Sequence, residues 1–141
     1  SPEDVQIYEA IMADPGGRVT TGLIEAIRFV KDNRILPKGF DKSSAMEDIM
    51  VQGRAAQDVD FRGGGDRIRY RVHLEHNPGP LTVRAKLMYQ PIAFRWAKNL
   101  KQQQAAAIDR FVSCYDSMSD QSWIVLCSDG ATVRNTSAAL R

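Results

Sequence analysis

The chain has 141 residues, 43% hydrophobic and 26% charged, with 19 lysines and arginines against 17 aspartates and glutamates for a formal charge of +2. That length predicts a single domain over residues 1–141, able to bury roughly 70% of its unfolded surface without a disulfide or metal staple. A pI near 8.6 and a mean hydropathy of -0.34 exclude an intrinsically disordered chain and argue against a dedicated nucleic-acid binder, and no stretch approaches the ~18 apolar residues of a membrane span.

The chain opens Ser-Pro-Glu-Asp, with neither an initiator Met nor a signal peptide, which predicts a piece of a longer protein with any targeting segment upstream. In residues 5–14, Val5, Ile7 and Ile11 alternate with Gln6, Tyr8 and Met12, the period of a strand. Asp14-Pro15-Gly16-Gly17 then reads as a hairpin turn. Residues 18–31 read as the returning strand: β-branched content is high, and Gly22 weakens a helix while fitting a bulge, although Leu23, Ile27 and Val30 also suit helical spacing. Residues 32–42 read as a loop pinned by Ile35, Leu36 and Phe40. Residues 43–60 are polar and irregular, with one helical turn near Ser44 and a short strand at Ile49-Met50-Val51. An acidic, glycine-rich loop follows from Asp58 to Asp66.

The strongest pattern lies in residues 67–99. Ile68, Tyr70, Val72 and Leu74 alternate with Arg67, Arg69, Arg71 and His73; Leu81, Val83, Ala85, Leu87 and Tyr89 then alternate with Thr82, Arg84, Lys86 and Met88. Joined through residues 75–80, the two runs predict an antiparallel hairpin with one apolar and one basic face. Pro91 ends the second strand, because proline cannot donate to a ladder. Residues 94–100 begin helical structure. In residues 103–118, Ile108, Phe111, Val112, Tyr115 and Met118 recur at three- and four-residue steps, an amphipathic helix. Residues 122–127 predict a strand buried on both faces, Asp129-Gly130 a turn, and Ala131-Thr132-Val133 a last strand. Together these elements predict a mainly β fold, an antiparallel β-sandwich of about seven or eight strands with one C-terminal amphipathic helix.

Four stretches, DNRILPKGFDK, FRGGGDRIRYRV, LTVRAKLMYQPIAFRWAKNL and RFVSCYDSM, resemble the C-terminal β-rich domain that follows the haem-binding part of certain bacterial multihaem c-type cytochrome proteins. The resemblance runs from about Ile7 to Val133. It implies an accessory domain of an exported, periplasmic electron-transfer protein whose upstream part carries CxxCH haem sites. This chain contains no CxxCH, so the resemblance implies haem c for the parent protein and no cofactor within the segment itself. The partner it implies is the haem-bearing domain of the same protein or another periplasmic protein.

Among local candidates, Asp58, Asp60 and Asp66 with their glycines can gather oxygens around Ca²⁺, although their spacing does not match an EF-hand; the alternative is a tight loop whose aspartates cap backbone N–H groups. His73 and His76 are the only histidines. In the expected hairpin Met88 lies roughly 17–20 Å along the strand from His73's level, too far for both to ligate one haem iron. Arg67, Arg69, Arg71, Arg84 and Lys86 form a basic stripe suited to an acidic partner, with Glu9, Glu25 and Glu75 as internal alternatives. Trp96, Trp123, Tyr70, Tyr89 and Phe94 offer a sugar-stacking surface, but core packing explains them more simply. Cys114 and Cys127 read as two buried free thiols or, in an oxidising compartment, one disulfide. No nucleophile elbow, HExxH, phosphate loop or catalytic carboxylate pair is present. The expected role is a non-catalytic accessory and interaction domain, with a β-sandwich ligand- or carbohydrate-binding module as the alternative.

Overall fold

The structure, a computed structural model, describes residues 5–73 and 80–133. The chain divides into two compact units, Ser1–Arg71 and Val72–Arg141.

The first unit is built on a three-stranded antiparallel sheet ordered β2-β1-β3, with β1 at Ala10–Ala13, β2 at Val19–Thr20 and β3 at Arg28–Asp32. The Asp14-Pro15-Gly16-Gly17 signal makes the expected hairpin between β1 and β2. Gly17 sits at φ 81 and donates to the Asp14 carbonyl at 2.9 Å. Asp14 is buried and accepts from the Arg18 backbone N–H at 2.9 Å and from its Nε at 3.0 Å. These interactions, the Arg18 backbone N–H foremost, hold the Asp14 carboxyl below its ordinary range.

The strand expected over residues 18–31 is interrupted. Gly22 takes N–H groups from Glu25 and Ala26 onto its carbonyl, making a single turn, and the chain rejoins the sheet where Ile27 donates to Ala13 at 3.0 Å. Leu23 and Ile24 are thrown out to solvent by this turn. Past β3, Asp32 pairs with Gln52 by an isolated bridge, leading into a 3-10 turn at Gly53–Ala56. Residues 49–51 form no strand. Lys42 fastens this turn by donating to the carbonyls of Ala55, at 3.0 Å, and Asp58.

The second unit holds a two-stranded antiparallel ribbon, β4 at Leu81–Tyr89 and β5 at Ile124–Val133, with α1 at Phe94–Leu100 and α2 at Ala106–Met118 between them. Both helices fall within the stretches expected to be helical, α2 starting three residues later than the periodic run at 103–118. Ala97 of α1 is buried; the Trp96 ring meets Phe111 edge-on at 6.3 Å, and Phe111 stacks on Tyr115 at 6.0 Å. An ion pair from Lys101 to Asp116 at 2.7 Å closes the helix pair. Gln90 donates to Ser122 Oγ at 2.7 Å, tying the end of β4 to the approach to β5.

The expected sandwich is not formed. The described residues hold five strands in two small sheets alongside two helices, a mixed α/β content. Two readings account for the error. Residues 67–73 alternate as a strand does but make no strand pairing among the described residues and carry no regular structure, whereas β4 takes β5 as its partner from Leu81↔Val133 to Tyr89↔Ile124. The end of the expected first arm at Leu74 and residues 75–79 of the expected connection lie outside the described residues. Asp129-Gly130 is also no turn. The pair continues β5 opposite Ala85 and Arg84, so two expected strands are one, and it is exposed along its length where burial on both faces was expected.

Candidate functional site

Two places merit a functional reading, one in each unit. In the first, the glycine run of residues 62–65 closes a tight turn, with Arg62 and Gly65 exchanging backbone hydrogen bonds at 2.9 and 3.0 Å. Gly64, at φ 85, takes the left-handed conformation this turn needs, and its N–H donates to Leu36 at 3.0 Å. The two sequence stretches ILPKGF and FRGGGD are thereby locked together.

That lock positions Asp66. Its Oδ2 accepts from the Tyr8 hydroxyl at 2.8 Å, across 58 positions of sequence. Its Oδ1 is buried and meets no protein donor. Tyr8 stacks on the buried Phe61 at 6.4 Å. Burial of the phenol first, and the Asp66 carboxylate second, push the Tyr8 hydroxyl well above its ordinary pKa. Beside this pair opens a cleft of about 560 Å³ lined by Val30, Lys31, Arg54, Asp58, Phe61 and Asp66, among others.

The three candidate Ca²⁺ ligands are only partly brought together. Asp58 and Asp66 both line the cleft, but Asp58 Oδ1 caps the Asp60 N–H at 2.9 Å and the Asp60 carboxylate turns to Arg69 at 3.7 Å. Among the described residues no group of three or more His, Cys, Asp or Glu stands where it can hold a metal ion. The participants that the sequence did not point to are Lys31 and Arg54, which line the cleft, and Tyr8, which holds Asp66. Nothing local marks them, since each comes from a separate stretch of the chain.

The second place is the β4–β5 ribbon. Directly paired residues share a face, so Thr82, Arg84 and Lys86 lie with Thr132, Gly130 and Ser128, while Leu81, Val83, Ala85 and Leu87 lie with Val133, Ala131, Asp129 and Cys127. Beyond an irregularity between Leu87 and Met88, the ribbon continues through Met88 and Tyr89 opposite Val125 and Ile124. Val83, Tyr89, Ile124, Leu126 and Val133 are each more than half exposed. The basic stripe expected on one hairpin face is therefore divided: Arg84 and Lys86 stand on β4, whereas exposed Arg67, Arg69 and Arg71 stand in the irregular segment of the first unit. His73 is exposed, and His76 lies outside the described residues. Of the aromatic residues, Tyr70, Tyr89, Trp96, Phe94 and Trp123 are all substantially exposed rather than core. Cys114 and Cys127 are free, and both are exposed, not buried as expected. No helix among the described residues is long and apolar enough to cross a membrane. No protein-family model matches the chain, and neither does any curated protein or solved structure.

Proposed function

We propose that the chain is a non-catalytic accessory and interaction domain of an exported, periplasmic, cytochrome-like electron-transfer protein, docking through its β4–β5 ribbon on the haem-bearing part of that protein or on a periplasmic partner. The observation that carries this reading is the exposure of the ribbon. A two-stranded antiparallel ribbon is marginal in water by itself and needs a third strand or a packed face to be stable. Here Val83, Ala131 and Val133 lie exposed on one face, and apolar area of this kind signals an interaction surface. The opposite face carries Arg84 and Lys86, which suit an acidic surface such as one edged by haem propionates. The sequence resemblance to domains that follow multihaem segments supports the choice of that partner.

The test is the gene product upstream of Ser1, followed by amide exchange. Several CxxCH motifs and a signal peptide upstream are expected, with exchange in β4 and β5 slowing when the haem-bearing segment is added to this chain. An upstream sequence without haem motifs, or a ribbon whose exchange is unchanged by that segment, overturns the reading.

A further inference from the structure

The cleft of the first unit is independent of the ribbon and has its own chemistry. Four charged side chains line it, Lys31 and Arg54 against Asp58 and Asp66, so its lining is neutral in sum. Two of the four are satisfied internally. Lys31 donates to Glu9 Oε1 and to the Ile7 carbonyl, each at 3.1 Å, and Asp58 caps Asp60. The other two are not. The Arg54 side chain makes no ion pair or hydrogen bond among the described residues, and the Asp66 carboxylate has one oxygen held by Tyr8 and one without a donor.

A buried carboxylate oxygen without a donor is costly, and native structures leave few of them. Asp66 lines the cleft, and a ligand ammonium at Oδ1 would supply the donor that this oxygen lacks while leaving Oδ2 on Tyr8. Phe61, only 2% exposed, and Val30 supply an apolar wall. The volume falls within the range of ~300–1,000 Å³ common to small-molecule sites. The cleft is also preformed: Gly53, at φ 80, lets the 3-10 turn close against β3, where a Cβ would stand 3.3 Å from the Val30 carbonyl, and Lys42 holds the carbonyls of the lining residues Ala55 and Asp58.

We infer that this cleft binds a small zwitterion of the α-amino acid class, with its ammonium on Asp66, its carboxylate toward Arg54 and an apolar side chain against Val30 and Phe61. A simple anion would meet Asp66 and a simple cation Arg54; only a ligand carrying both charges answers both. The site is distinct from the docking ribbon, and its occupancy does not depend on the identity of the parent protein.

The experiment is a titration of the isotope-labelled 141-residue chain, followed by NMR, with L-leucine, L-leucinamide and 4-methylpentanoate. Leucine is expected to shift the amides lining the cleft in a saturable way, leucinamide to bind several-fold more weakly, and 4-methylpentanoate at least about tenfold more weakly, because charge-assisted hydrogen bonds are the strong ones. Asp66→Asn should weaken leucine by about tenfold, and Arg54→Gln should reduce leucine to the affinity of leucinamide. Equal binding of leucine and 4-methylpentanoate, absence of saturable shifts with leucine, or indifference to both substitutions overturns the inference. Should Asp66→Asn unfold, the three-ligand series on the unaltered chain decides alone.

Discussion

Gly63 lies so close to the backbone of Phe40 that a Cβ there would stand 2.5 Å from the Phe40 carbonyl oxygen and 2.9 Å from its nitrogen. The obstacle is backbone, which cannot swing aside as a flexible side chain can. Gly63→Ala is therefore expected to destabilise the first unit by about 1–3 kcal/mol, the usual cost of forcing extra atoms into a packed place. Gly65→Ala is the control, since a Cβ there meets nothing within 4 Å. Chemical denaturation of the two variants checks the contrast; equal midpoints would mean that the two loops are not packed as described.

How far the sequence led depends on how local each signal is. The Asp14-Pro15-Gly16-Gly17 turn and the helix over Ala106–Met118 were legible because their determinants lie within a few residues: positive φ at Gly17 and an apolar stripe from Ile108 to Tyr115. Strand pairing is not local. The alternation at Ile68, Tyr70 and Val72 fits a strand, yet a strand needs a partner, and β4 pairs with the distant β5 rather than with this neighbouring run. Asp58 and Asp66 were legible as candidates from their glycines. Tyr8, which holds Asp66, was not, because the contact spans 58 residues.

Gly130 turns the misread Asp129-Gly130 pair into a test of its own. In the structure it has no positive φ and sits within β5, where a Cβ would make ordinary contacts at 3.4 Å with the Val83 carbonyl and 3.7 Å with Arg84 Cγ. Gly130→Ala should therefore stabilise the ribbon by about 0.4–1 kcal/mol, chiefly by restricting the unfolded chain. Were the pair a turn needing positive φ at the glycine, the same change would destabilise. Amide exchange across β4 and β5 reads the sign.

The thiols give a further check. Cys114 and Cys127 are both free and exposed, so both should react with a small disulfide reagent in the native protein without denaturant. Cys114 borders a small apolar pocket with Phe111, Tyr115 and Met118, and an apolar maleimide should label it at least as readily as a charged one. Reaction of either thiol only after unfolding would contradict its placement.

Acid titration probes the loop that follows β3. The Asp41 carboxylate accepts from Ser43 Oγ at 2.6 Å, from the Ser43 N–H at 2.9 Å and from Ser44 Oγ at 2.7 Å. These bonds, that of the Ser43 hydroxyl foremost, lower its pKa from 3.8 to about 2. A carboxyl lowered by folding contributes stability that is complete above its unfolded pKa and is lost as pH falls through the folded one. The 41–44 turn should accordingly hold at pH 5 and loosen from about 4 down through about 2. NMR of the Asp41 carboxyl carbon should give a midpoint near the lowered value, moving up toward 3.8 in Ser43→Ala; an unmoved midpoint would dismiss the hydroxyl as the cause.

Asn33, a buried residue at 4% exposure, holds β3 to the segment ahead of β1. Its Oδ1 accepts from the Glu9 N–H at 3.0 Å, and its Nδ2 donates to the Ile7 carbonyl at 3.1 Å. Asn33→Ala leaves the Glu9 N–H without that acceptor, whereas the Ile7 carbonyl keeps its bond from Lys31. The expected loss is about 1–3 kcal/mol, the cost of a buried polar group stripped of its partner. Asn33→Asp separates the two bonds. It keeps the acceptor for Glu9 but sets a carboxylate against the Ile7 carbonyl, so its deficit should be largest near neutral pH and shrink in acid, where the protonated carboxyl can again donate. Denaturation midpoints of the two variants at pH 7 and pH 4 distinguish them: the alanine deficit should not depend on pH, and an aspartate deficit equally flat would mean that the Nδ2 bond contributes nothing.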